Sequence, residues 1–531
     1  VRHHNQLPIH HRGPPSHSQL EYRLYELARS VDNMFDALNV PSYDVPPRSE
    51  WHEKAYVRKK FGQKVLWLER QDGGFHLSSS DLEPYRHIGD EVDGILKQLD
   101  EAGSPLGASD DLLSMMEGAL SKGASSRSPV EKDMAAFLEK YSTLPKWVDK
   151  DQLKRGQEVF LAYLPAASLS LYYRSLVAGF SIPKIASVVR ATAYLAPPSR
   201  PDQVLQRLLD TGELTAACTG LGVEALLPRH GVGWKTALYV RFLHAKVRYA
   251  LLKRQGEGRW NLEKYGIPIN QEDISATLLA FSVNVLFGVD LISGMALSEQ
   301  ERCDYLALWR YLGFLLGVET DFDVTRLDDQ PTTDELPPLD PCGPGPTRDA
   351  PNPIQNSNSI LQSVIFHLLD PDESSVEIAH HLLKITDRRP PSMTMQKIPE
   401  EFYKNELFYY RCYNCRRMIG DPLADALELP FHPSPWIRLK IRMKSTFFLT
   451  LFRIYTIAAR LPYLRDFIIS RHRRSLIFFH EQWSETHKSK LARALANNEK
   501  ATVLLNPSDD QANDLTSTSS SLCPFAMTSK P

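Results

Sequence analysis

The sequence predicts a mainly α fold, a multi-helix globular bundle. Three observations carry this. From Pro129 onward apolar residues recur at helical spacing between Pro, Asn and Asp start signals. Convincing strands are scarce, and no repeat of about 20–50 residues is visible. The chain has 531 residues, 42% hydrophobic and 24% charged, so a large buried core is affordable in an ordinary globular composition.

Along the chain, Val1–Glu50 is rich in His, Pro and Arg and reads as a floppy tail. Its start at Val1 is what a processed product would show. Val65–Leu68 with the Gly73-Gly74 turn suggests a short hairpin or loop, Leu112–Leu120 a helix and Gly123–Ser128 a linker. Helices are then expected from Asp149 to about Phe160, over Leu169–Val177 and over Pro183–Leu195. After a proline break come Asp202–Thr219 and the long Trp234–Gln255. Asn270 with Asp273 resembles a capping box that starts a helix reaching about Gly288, and Glu299–Gly317 follows. Eight prolines between Pro331 and Pro353 predict a long exposed loop. Helices resume over Ile360–Leu369, Ser375–Ile385, Phe402–Arg417 and Trp436–Gln482, before a polar tail. The expected division is an N-terminal extension, partly disordered, at 1–135; a main domain at 136–440 with the Pro-rich loop at 324–357; a helical segment at 441–505; and a disordered tail at 506–531.

Charge narrows the partners. Lys and Arg number 62 against 64 Asp and Glu, a net charge of −2, and nothing in that balance suggests nucleic acid as a default partner, because phosphate binding needs a concentrated positive field. Six cysteines are too few for a disulfide scaffold and fit a reducing, intracellular setting. Ile274–Val289 is uncharged but too short for a span, carries Asn284 and meets Asp290, so a buried core helix is expected. Phe447–Phe452 with Tyr455, Ile457 and Leu461 fits either a packed amphipathic helix or a helix lying on a membrane, which makes 445–470 the candidate for peripheral membrane contact.

Among motifs that carry chemistry, GxGxxG, the Walker lysine loop, GxSxG and HExxH are all missing. Cys412 and Cys415 form a lone CxxC with no second ligand pair and read as helix cysteines; His380-His381 reads as a surface pair. The informative stretch is Val240–Tyr249. On a helix Val240, His244, Val247 and Leu251 share one apolar stripe, with Arg241 and Arg248 three before and four after the histidine. A haem would need such a set: a neutral imidazole for the iron, aliphatic side chains against the macrocycle and guanidinium groups for two propionates. A core histidine bonded to a carbonyl, beside two snorkelling arginines, fits the same spacing. On the preceding helix Arg207 and Thr211 share a face; they can anchor an anion and donate a hydroxyl, or be an ordinary arginine and a back-bonded threonine.

At these residues the chain resembles the catalytic domain shared by bacterial rubber oxygenases (latex-clearing proteins) and the fungal ER-bound oxygenase of mycophenolic acid biosynthesis. The resemblance runs from about Leu144 to Pro430. It rests on Leu144-Pro-Lys-Trp-Val-Asp149 with Arg155-Gly-Gln157, on Arg207 with Thr211, and on Arg241, His244 and Arg248. It continues through Pro268-Ile-Asn-Gln-Glu-Asp273 with Thr277 and Phe281-Ser282, Trp309-Arg-Tyr-Leu-Gly313 with Leu316-Gly317, and Arg417-Met-Ile-Gly420 with Asp425 and Leu429-Pro430. The resemblance implies an all-α bundle enclosing a haem b pocket, His244 as iron ligand, and oxidative cleavage of an isoprenoid C=C bond with dioxygen. It places Arg207 and Thr211 at the catalytic side and Arg241 and Arg248 around the cofactor. Asp210 stands where the rubber oxygenases carry a lysine, and their distal glutamate has no evident counterpart in Val188–Thr192. The expected substrate is therefore a smaller prenylated or terpenoid molecule, as in the fungal branch and its secondary metabolism, and the expected location is intracellular, at the ER membrane or in the cytoplasm. A non-catalytic haem-binding or interaction protein on the same fold, and a peroxide-using haem enzyme, remain open alternatives.

Overall fold

The computed structural model describes residues 47–103, 109–192, 201–253, 260–320, 339–345, 352–385 and 400–496. The fold is mainly α, as the sequence predicts, with one short hairpin among the described residues. Strands Tyr56–Lys60 and Gln63–Trp67 pair antiparallel around Phe61-Gly62, both with positive φ. The strands are thus joined at Phe61-Gly62, whose two consecutive left-handed residues match their twist, while Gly73-Gly74 forms a separate turn in the loop after the second strand.

Several helices begin where capping chemistry says they should. Asp149 caps Lys150–Ala162, Ser298 and Glu301 form a capping box on Glu299–Leu316, and Ser128 with Glu131 does the same on Pro129–Tyr141. The helices Lys150–Ala162 and Glu299–Leu316 lie against one another. A Cβ at Gly156 would come within 2.4 Å of the Asp304 carbonyl oxygen, so glycine permits this approach. Beside it Arg155 donates to both carboxylate oxygens of Asp304 at 3.0 and 3.2 Å. Gln157 donates to the Cys218 and Gly222 carbonyls, tying this pair to the end of Pro201–Thr219.

Two expected single helices are broken. The apolar stretch after Asn270 divides into Gln271–Phe281 and Val283–Ser293 at Ser282, whose hydroxyl and amide both turn back to the Leu278 carbonyl. Both halves are core helices. Asn284 is absorbed there by the π-helix Ser170–Val177: it accepts from Arg174 Nε at 2.7 Å and donates to the Arg174 carbonyl and the Ser175 hydroxyl. Asn270 does accept from the Asp273 amide, but the Asp273 carboxylate reaches Lys184 at 2.8 Å instead of closing a capping box. The second break is at Pro462, which separates Pro435–Ala458 from Pro462–Ala496 with a bend of 114°. A proline nitrogen cannot continue the ladder.

The expected boundary at residue 135 does not coincide with a break in packing. Leu77, Val92, Leu96, Leu112, Met116 and Leu138 belong to the same hydrophobic core as Phe242, Leu279 and Leu312. Of the Pro-rich loop, 321–338 and 346–351 lie outside the described residues. The part between them is buried rather than exposed, because Arg310 holds the Asp340 carboxylate and Cys342 packs in the core. The N-terminal tail to residue 46 and the polar tail from 497 also lie outside the described residues.

Candidate functional site

His244 sits midway along the helix Val232–Lys253. The most buried side of this helix is not the expected stripe. It consists of Trp234, Ala237, Leu238, Arg241, Phe242, Ala245, Arg248 and Leu251, while Val240, Leu243, His244 and Val247 are intermediate in exposure. The histidine therefore occupies a partly covered flank, beside a flank in which two arginines are fully enclosed.

Those two arginines are already ion-paired. Arg241 donates from Nε to Asp90 Oδ2 at 2.9 Å and from Nη2 to Glu91 Oε1 at 2.8 Å. Its guanidinium carbon lies 4.9 Å from the Phe137 ring centre and 4.4 Å from that of Tyr141. Burial opposes its charge, but Asp90, Tyr141 and Glu91 outweigh burial and raise its pKa above the ordinary value. Arg248 donates to Asp93 Oδ2 at 2.7 Å and to the Ile269 carbonyl at 2.8 Å. Arg241 and Arg248, expected around cofactor propionates, are thus paired with carboxylates of the chain itself. Their source is Gly89-Asp90-Glu91-Val92-Asp93, just before and within the helix Val92–Glu101, in the region expected to be an extension. Three acids in four positions were the only sequence signal for them.

Other residues of the shared motifs complete this lattice. Gln271 donates to the Gly89 and Gly317 carbonyls at 3.0 and 2.9 Å and accepts from the Glu319 amide. Ile269, whose carbonyl serves Arg248, adopts a positive φ of 53°, a strained state for a β-branched residue. The helix Val232–Lys253 is thus fixed in rotation by ion pairs and buried amides.

Against that fixed background His244 stands apart. Its Nδ1 is shielded from solvent and has no hydrogen-bond partner. Desolvation, reinforced by the Arg248 charge and only partly offset by Asp90, lowers its pKa to about 4. The imidazole is neutral at pH 7, the form that ligates a metal. A buried ring nitrogen left without a partner costs stability, and it is the observation that fits a ligating role. No cluster of three or more His, Cys, Asp or Glu groups suited to a metal ion occurs among the described residues; a haem needs only one such ligand.

Arg207 and Thr211 fall on the helix Pro201–Thr219, which packs against the His244 helix. The Thr211 hydroxyl donates to the Arg207 carbonyl at 3.1 Å, so its proton is spent on the backbone and its lone pairs remain as acceptors. Of the two readings of this pair, this is the back-bonded threonine. Cys412 and Cys415 are buried in Glu400–Ile419, where burial pushes the Cys412 thiol up to about 12. His380 is half-buried rather than on the surface and contacts the Leu427 and Glu428 carbonyls. A cavity of about 200 Å³ beside Trp147, Arg310 and Cys342 is lined by none of the five candidate residues.

A family model described as "ER-bound oxygenase mpaB/B'/Rubber oxygenase, catalytic domain" matches residues 165–446. Among solved structures, one described as "Structure of Latex Clearing Protein LCP in the closed state" matches with a TM-score of 0.46 and 18% identity, covering 73% of this chain and 90% of that one. No curated protein sequence matches the chain.

Proposed function

The chain belongs to the family of ER-bound oxygenase and rubber oxygenase catalytic domains, and from that premise we propose that it is a haem-dependent oxygenase that cleaves a C=C bond of a prenylated or terpenoid small molecule with dioxygen. The oxygenase class follows from the family; haem b and the substrate class are the proposal. The observation that carries it is His244, a neutral and shielded imidazole whose Nδ1 has no hydrogen-bond partner, on a helix held by the ion pairs of Arg241 and Arg248.

In this reading His244 would hold the iron, and haem would supply dioxygen chemistry that no amino-acid side chain offers. The chain's own residues have supporting tasks. Val240, Leu243 and Val247, on the same partly covered flank as His244, offer an aliphatic wall. Arg241 and Arg248 act on the rotation of the helix, through Asp90, Glu91 and Asp93, and so on where the imidazole points. Thr211 can accept but not readily donate a hydrogen bond.

A second reading, a haem-binding protein without catalysis, is favoured by Asp210 at the position of the rubber oxygenases' lysine. Turnover separates the two. Haem-loaded protein is incubated with dioxygen and a panel of prenylated phenols and linear terpenoids, and carbonyl products are followed by mass spectrometry. Dioxygen-dependent carbonyl fragments are expected. Tightly held haem with no product from any of them favours the second reading, and product only with peroxide contradicts dioxygen as co-substrate.

A further inference from the structure

The bent helix pair Pro435–Ala458 and Pro462–Ala496 has one side anchored to the body and one side bare. Ile441, Ser445, Thr456, Ala459, Ile468 and Ile469 are buried. Arg460 ties the corner down by donating to the Ala296 carbonyl at 2.7 Å. On the opposite side Trp436, Met443, Phe447, Leu451, Ile454 and Ile457 recur at spacings of three, four and seven, a single helical stripe, and all are exposed. Leu461, Tyr463, Leu464 and Phe467 extend the stripe around the corner, where Tyr463 is 93% exposed. Soluble monomers rarely leave so continuous an apolar surface in water.

Charge identifies what covers it. Between Pro435 and His480 the chain has ten Lys or Arg and a single acid, Asp466, although the whole protein carries a net −2. Lys444, Arg471 and Arg474 are exposed beside the apolar stripe. A second copy of the chain would bring the same cationic surface against itself, which is repulsive. An anionic bilayer meets both features, with lipid tails for the apolar stripe and headgroup phosphates for the bases. The 114° bend turns the pair into a corner rather than a rod, a shape that can enter one leaflet without crossing it.

We propose that this corner docks the protein peripherally on a membrane containing anionic lipid, with Phe447, Ile454 and Phe467 in the acyl boundary and Lys444, Arg471 and Arg474 at the headgroups. The inference stands apart from the oxygenase reading, because binding to vesicles requires no turnover.

The test is co-sedimentation of the full-length protein with vesicles of phosphatidylcholine alone or with about one third phosphatidylserine. Capture by the anionic vesicles is expected, falling about tenfold or more in a Phe447→Asp, Ile454→Asp variant and in an Arg471→Glu, Arg474→Glu variant. All four positions are exposed, and circular dichroism confirms that the variants keep their helices. No capture of the parent protein, or equal capture of the variants, overturns the proposal. So does a dimer in solution, seen by light scattering, that the apolar substitutions dissociate while the parent fails to bind vesicles.

Discussion

Arg241 and Asp90 form a buried ion pair, Nε to Oδ2 at 2.9 Å, with their side chains 3% and 4% exposed. The pair fits only because residue 317 is glycine. A Cβ there would stand 2.2 Å from the Asp90 carboxylate and 2.8 Å from Arg241 Nε. Gly317 also ends the helix Glu299–Leu316 at a φ of 92°, which other residues avoid. One glycine thus terminates a helix and roofs the ion pair that fixes the His244 helix.

Breaking this pair from one side strands a charge in the interior. Arg241→Ala is expected to lower unfolding free energy by about 3–5 kcal/mol, measured by urea denaturation. Asp90→Ala should cost a similar amount. The double variant should cost clearly less than the two single losses added together, a coupling that a double-mutant cycle reads directly.

Gly317→Ala is expected to cost more than about 1 kcal/mol, since a positive φ and two close contacts oppose the new methyl. Gly118→Ala is the control. It lies in the helix Ser109–Ser121, where an added Cβ meets nothing within 4 Å, and the change should leave stability equal or higher. Thermal melts of the two variants check the contrast.

His244 makes a specific demand on pH dependence. Its folded pKa of about 4 lies below the usual 6.5, so the unfolded chain binds the extra proton first. The stability this residue contributes is fully present above pH 6.5 and is lost as pH falls through 4. The shift corresponds to about 3 kcal/mol. In cofactor-free protein, His244→Leu should therefore flatten the fall in stability between pH 6.5 and 4 relative to the parent, as denaturant titrations at several pH values would reveal.

The helices were legible in the sequence because their caps are local: Asp149, Ser298 and Asn270 each mark a start within one turn. The breaks at Ser282 and Pro462 were less so. An apolar run reads the same whether one helix or two carry it, and Ser282 owes its turn to a tertiary setting in which the Cys342 thiol reaches its hydroxyl. At the site, the i, i+4 arithmetic put Arg241, His244 and Arg248 together but could not tell which flank faced which neighbour. That depends on Asp90, Glu91 and Asp93, about 150 residues earlier in the chain. The arginines looked like anion receptors, and they are; their anions belong to the protein.

The most direct test of haem ligation by His244 is the absorbance spectrum of protein purified from haem-replete cells, beside that of His244→Ala. A Soret band is expected in the parent and its loss in the variant, with the variant's helix content unchanged by circular dichroism. A colourless parent protein, or a Soret band that survives in His244→Ala, would contradict it.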